Sequence, residues 1–198
     1  SLTFNTFGRD LPDGGINEAG LYIWEMGLGG SDVVYPRHPG LPRLNQMQWM
    51  QYVLDNFASI DDAVKAAREI ELDGWGWHFF VGDGAGNCAA IDFADNEVVV
   101  HRGAEMPVAG LFNALYSLEM ERSRYFKGFG GLWDFDLKDI RVPRYVKIGQ
   151  LQRAYDLKQD AVEYALMMLD AIYVNEVADW SVLFDVRRGK VHFRTSWN

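Results

Sequence analysis

The chain has 198 residues, 48% of them hydrophobic and 24% charged, which is enough length and apolar content to bury a core as one domain. Its net charge of −9 argues against a phosphate-backbone partner. Cys88 is the single cysteine, which excludes a disulfide framework or a cysteine-based zinc cluster, and no apolar run approaches the ~20 residues of a membrane helix.

In chain order, residues 2–7 alternate apolar and polar and predict a strand. GRDLPDGGINEAG, residues 8–20, predicts a glycine-rich turn, and Leu21–Met26 predicts a second strand. Glycines and prolines over 27–43 predict a long loop of the kind that shapes binding sites. From Leu44 the period becomes helical, with Met47, Met50, Leu54 and Phe57 on one face. Ser59 predicts an N-cap, followed by Asp61 and Asp62 in the first turn of a helix running to about Leu72.

Three apolar segments, His78–Gly82, Cys88–Phe93 and Val98–His101, are joined by DGAGN and ADNE and predict an antiparallel meander. PVAGLFN, residues 107–113, predicts another strand leading into a helix-like stretch over 114–126. A turn-rich aromatic segment covers 126–136, and helices are expected over 143–156 and 160–173. The chain ends in a predicted hairpin with RRG in its turn, where Val182, Phe184 and Val186 oppose Val191 and Phe193. This order is α+β and fits antiparallel sheets layered between helices, in a single domain over 1–198.

Local motifs are nearly silent on chemistry. There is no phosphate loop, GxSxG, HExxH or GxGxxG, and no cofactor or metal is expected. His78, His101 and His192 lie in or at strands, where a structural role is the better reading; His38 lies in the loop. Aromatic residues reach 14%, including seven Trp, which favours an aromatic-lined pocket for an apolar ligand.

The ordered set of longer stretches is more specific. LTFNTFGRDLPDGGINEAGLYIWEM, LNQMQWMQYVLDNFASIDDAV, HFFVGDGAGNCAAIDFADNEVVVHRG and DWSVLFDVRRGKVHFRT follow one another along nearly the whole chain. Together they resemble the linear amide C–N hydrolases of the choloylglycine (bile salt) hydrolase and penicillin V acylase family. The resemblance implies the N-terminal-nucleophile fold, a four-layer αββα sandwich with antiparallel sheets, here incomplete at its N-terminus. It implies an N-terminal Cys whose α-amino group is the general base, an early Arg and Asp that position it, and Asn side chains that hold the oxyanion.

Carried over residue by residue, Asn17 in GGINEAGL is the candidate oxyanion or substrate donor. Asn113 in AGLFNA matches the second oxyanion Asn, although Phe112 stands where a small hydroxyl residue is usual. Arg144 in VPRYVKI matches a late active-site Arg. Each also has a plain structural reading: a turn residue, a helix cap and a solvated charge.

The nucleophile segment aligns upstream of Ser1. A rival reading takes Ser1 as the nucleophile, with Arg9 and Asp10 beside it; a third makes the chain a non-catalytic relative that binds apolar ligands or serves assembly. The expected partner is a small amide with an apolar acyl group, with no nucleic acid and no membrane. Association into homo-oligomers is compatible with the sequence, and the compartment stays open between cytoplasm and periplasm or exterior.

Overall fold

A computed structural model describes residues 1–28, 35–172 and 180–195. The chain divides into two compact units, Ser1–Tyr116 and Ser117–Asn198. In the first, six antiparallel strands form one sheet: β1 (Leu2–Phe4), β2 (Gly14–Ile16), β3 (Tyr22–Gly27), β6 (Trp77–Gly82), β7 (Cys88–Ala94) and β8 (Glu97–Arg102), adjacent in that order. Between β3 and β6 the chain makes β4 (Arg43–Asn45), α1 (Gln46–Asn56), α2 (Ile60–Glu69) and β5 (Glu71–Asp73), with β4 and β5 paired in parallel.

The two faces of the sheet have different chemistry because side chains alternate along each strand. One face carries Ile23, Phe79, Val81, Ala89, Ile91 and Phe93, all fully buried in a cluster with Trp49, Met50 and Val53 of α1 and Ala63 of α2. Trp49 and Phe79 meet with ring centroids 4.7 Å apart. Each helix begins on a cap: the Asn45 side chain accepts from the Met47 N–H, and Ser59 Oγ accepts from the Asp62 N–H, each cap being worth about 1 kcal/mol.

The second unit takes in all but the first residue of α3 (Tyr116–Ser123), then α4 (Arg144–Ala154), α5 (Ala161–Ala171) and the hairpin β9 (Trp180–Asp185) and β10 (Lys190–Thr195). Tyr164 Oη donates to the Leu151 carbonyl at 2.7 Å and ties α5 to α4. In the hairpin Phe184 opposes Val191 and Val182 opposes Phe193, as the alternation predicts, while Val186 lies in the turn, its carbonyl accepting from the Gly189 N–H.

Several expectations need correction. The first strand stops at Phe4 instead of residue 7. The turn expected over 8–20 contains strand β2, whose Gly14 and Gly15 pair on both sides. Glycine is required there by close approach: a Cβ at Gly14 would collide with the Trp24 ring, and one at Gly15 with the Leu2 carbonyl. Helix α2 ends at Glu69 because Glu71–Asp73 enter β5. Residues 107–113 form no strand; they are irregular and held by side chains. Of the loop expected over 27–43, residues 29–34 lie outside the described residues, as does residue 173 of the last predicted helix.

Candidate active site

The other face of the first sheet is where aromatic and polar groups collect. A single cross-strand row runs through all six strands: Phe4, Gly14, Trp24, Phe80, Ala90 and His101. The small residues leave room for the large rings. Trp24 lies over Gly14, and Tyr22 lies over Gly82, where a Cβ would meet its ring. Phe4 and Trp24 have centroids 6.0 Å apart, and Tyr22 stacks with Phe80 at 6.2 Å. Phe4, Tyr22, Trp24 and Phe80 are each half-buried and together form an aromatic floor.

Beside that floor lies a buried polar network that strand alternation alone did not single out. His78 is 0% exposed and Asp92 2%. His78 Nδ1 lies 2.6 Å from Asp92 Oδ1, and its Nε2 lies 2.6 Å from the Phe112 carbonyl. A carbonyl only accepts, so Nε2 carries a hydrogen. Asp92 Oδ2 accepts from the Tyr116 N–H at 2.8 Å, and His101 Nε2 lies 3.7 Å from the same oxygen. Tyr116 Oη donates to the Val108 carbonyl at 2.8 Å and accepts from the Val108 N–H at 3.2 Å. The irregular segment 108–116 is thereby fixed to the sheet and to itself at its two ends.

Asn113 sits inside that segment, between the anchors at Phe112 and Tyr116. Its Nδ2 donates to the Gly27 carbonyl, the last of β3, at 2.6 Å. Asn17 sits at the other end of β3, about 20 Å away at the usual rise per strand residue. Its Oδ1 accepts from the N–H groups of Ala19 and Leu21 and shapes the β2–β3 turn. Its Nδ2 donates to the carbonyls of Leu54 and Phe57 at 2.9 and 2.7 Å, so both of its amide hydrogens are spent on the end of α1.

Arg144 opens α4 in the second unit, directly after Pro143, and is half-buried. Ser1 Oγ rests near Asp55 Oδ1 at 3.4 Å and accepts from Gln51 Nε2 at 3.3 Å on the outer side of α1. Arg9 and Asp10 pair with each other at 3.8 Å in solvent. Cys88 starts β7 and lines a cleft of about 540 Å³ with Ser59, Asp83, Arg102 and Met106. Burial, and then the charge of Asp83, push its thiol upward, which disfavours the thiolate.

Glu25 is a second buried titratable group on this sheet. It projects to the helix side of the sheet, opposite Phe79, with Oε2 buried and without a hydrogen-bond partner among the described residues. Burial first, and the Asp13 carboxylate second, raise it from its ordinary 4.5 to about 7. Among the described residues no group of three or more His, Cys, Asp or Glu is placed to hold a metal ion, and no helix is long and apolar enough to cross a membrane.

Known proteins share this architecture. No protein-family model matches the chain. A penicillin V acylase of Pectobacterium atrosepticum is 28% identical over 131 residues, which is 59% of this chain and 34% of that protein. The chain thus matches about a third of the length of that relative. The structure of penicillin V acylase from Agrobacterium tumefaciens superposes with a TM-score of 0.76 at 21% identity, covering 96% of this chain and 65% of the other. A single-residue variant of conjugated bile acid hydrolase from Clostridium perfringens gives 0.77 at 15% identity, covering 98% and 73%. The chain is therefore similar in sequence to a penicillin V acylase and shares the α+β, N-terminal-nucleophile-type fold of the penicillin V acylase and conjugated bile acid hydrolase structures.

Proposed function

We propose that the whole protein hydrolyses a linear amide C–N bond, and that its substrate carries an apolar acyl group. The observation that carries this reading is the shared fold over 96% of the chain with a penicillin V acylase, joined to an aromatic floor on the first sheet and an Asn113 amide bonded to the end of β3. The acyl group packs on Phe4, Tyr22, Trp24 and Phe80, where burying a ring-sized apolar group contributes roughly 25 cal/mol per Å². Asn113 holds the oxyanion. Asn17, whose amide hydrogens go to the end of α1, serves instead to hold the β2–β3 turn against that helix, and through it the register of β3.

The nucleophile of this reading is a cysteine outside residues 1–198. Its thiolate attacks the amide carbon, its α-amino group takes up the thiol proton, and the carbonyl electrons move onto oxygen. Collapse of that tetrahedral species expels the amine, which takes the proton, and leaves a thioester. Water then attacks the thioester and releases the carboxylic acid and the free thiol. Donors aimed at the oxyanion are worth about 3–4 kcal/mol each.

The test is incubation of the whole protein with penicillin V and with a glycine-conjugated bile acid, followed by chromatography for the freed acid. Release of acid from either substrate, lost in Asn113→Ala, agrees with the reading. Saturable binding of the acyl compounds with no release would instead make the protein a binding relative, and release that survives Asn113→Ala would remove Asn113 from the oxyanion site.

A further inference from the structure

We propose that His78 and Asp92 are positioning residues for Asn113, forming a buried clamp that sets where its amide stands relative to β3. This rests on the reading of Asn113 as an oxyanion donor, which it deepens. Burying an imidazole and a carboxyl inside a sheet is expensive, and apolar residues of similar volume pack a sheet as well without that cost. What the pair supplies that apolar residues cannot is direction. Phe112 is held through its carbonyl by His78 Nε2, and Tyr116 through its N–H by Asp92 Oδ2. Those two contacts bracket Asn113, whose own amide reaches Gly27.

The segment has no helix or strand to satisfy its backbone groups over 107–115, so its conformation depends on such side-chain partners. His78 and Asp92 join through Nδ1 and Oδ1, so neither anchor can move without disturbing the other. His101 closes the far side of Asp92, its ring 4.8 Å from that of Tyr116. The clamp therefore ties β6 and β7 to the segment that carries Asn113, whose side chain reaches the end of β3.

The test is hydrogen exchange of the whole protein with Asp92→Ala, which removes the acceptor of the Tyr116 N–H, with His78→Gln read in the same way should the first variant not fold. Loss of one directed hydrogen bond corresponds to about a tenfold rise in exchange. That rise is expected at the amides of Asn113 and Tyr116, with Val81 and Ile91 in the ladder unchanged. No change at Tyr116, or the same rise throughout the sheet, overturns the proposal.

A kinetic cycle adds a readout that a merely structural role would not move. Asp92→Ala should lower kcat with little change in KM in the native background, and have no further effect once Asn113 is Ala. An equal effect in both backgrounds overturns positioning through Asn113. Should Asn113→Ala retain full turnover, the oxyanion reading fails while the exchange data still decide whether the clamp places the side chain.

Discussion

Replacing Glu25 with Gln is expected to remove a pH-dependent loss of stability. The carboxyl titrates near 7 in the folded chain against its ordinary 4.5, so between those values the folded state binds the proton more tightly than the unfolded state. Stability associated with Glu25 is fully present below pH 4.5 and is lost as pH rises through about 7. At about 1.4 kcal/mol per pKa unit the loss reaches about 3 kcal/mol at the upper limit, and partial solvent access brings the expected figure nearer 1–2 kcal/mol. Denaturant unfolding at intervals from pH 4 to 9 measures it. The difference in unfolding free energy between Glu25→Gln and the native chain should grow across that window, in favour of Gln at high pH, and then level off. A difference that stays constant from pH 4 to 9 would refute the argument, because it would mean that the carboxyl titrates alike in both states. Asp13→Asn should reduce the growth without abolishing it, since burial is the larger cause and the Asp13 charge the smaller.

Other perturbations follow from the same contacts. Asn17→Ala removes two hydrogen bonds to the end of α1 and two within the β2–β3 turn; a loss of about 2–3 kcal/mol in denaturant unfolding is expected. Gly82→Ala places a methyl where the Tyr22 ring lies, and overpacking of this kind costs about 1–3 kcal/mol, read as a lowered melting temperature. Ser59→Ala should cost about 1 kcal/mol through loss of the α2 cap, leaving the helix span unchanged by circular dichroism.

Much of this fold is written in local signals. Ser59 with Asp61 and Asp62 marks the start of α2 at the residue where it begins, because a cap and a favourable charge at the helix dipole are both local chemistry. The meander and the final hairpin are legible from short turns and alternation. Strand β2 is not, since glycine is depleted in strands and only its cross-strand neighbours, the Trp24 ring at Gly14 and the Leu2 carbonyl at Gly15, explain its presence. Strands β4 and β5, three residues each and parallel, carry no pattern long enough to read. Residues 107–113 have the composition of a strand, but their partners are the side chains of His78 and Tyr116 instead of a neighbouring strand.

For the site, Asn17, Asn113 and Arg144 are legible only through the resemblance, since a lone Asn or a lone Arg carries no spacing signal. The His78–Asp92 pair was open to discovery. The turn after Gly82 pairs it with Cys88, and continuing that register inward sets His78 opposite Asp92. Glu25 likewise stands as one carboxylate inside LYIWEM, a pattern that calls for either a partner or an unusual titration.

The most direct test of the account is covalent trapping. The whole protein is mixed with penicillin V, quenched in acid within the first turnovers, digested, and its acylated peptide identified by mass spectrometry. The account predicts an acyl thioester on a cysteine outside residues 1–198, in amounts that fall sharply in Asn113→Ala. An acyl group on Ser1 or Cys88, or no acyl group while the free acid accumulates, would contradict it.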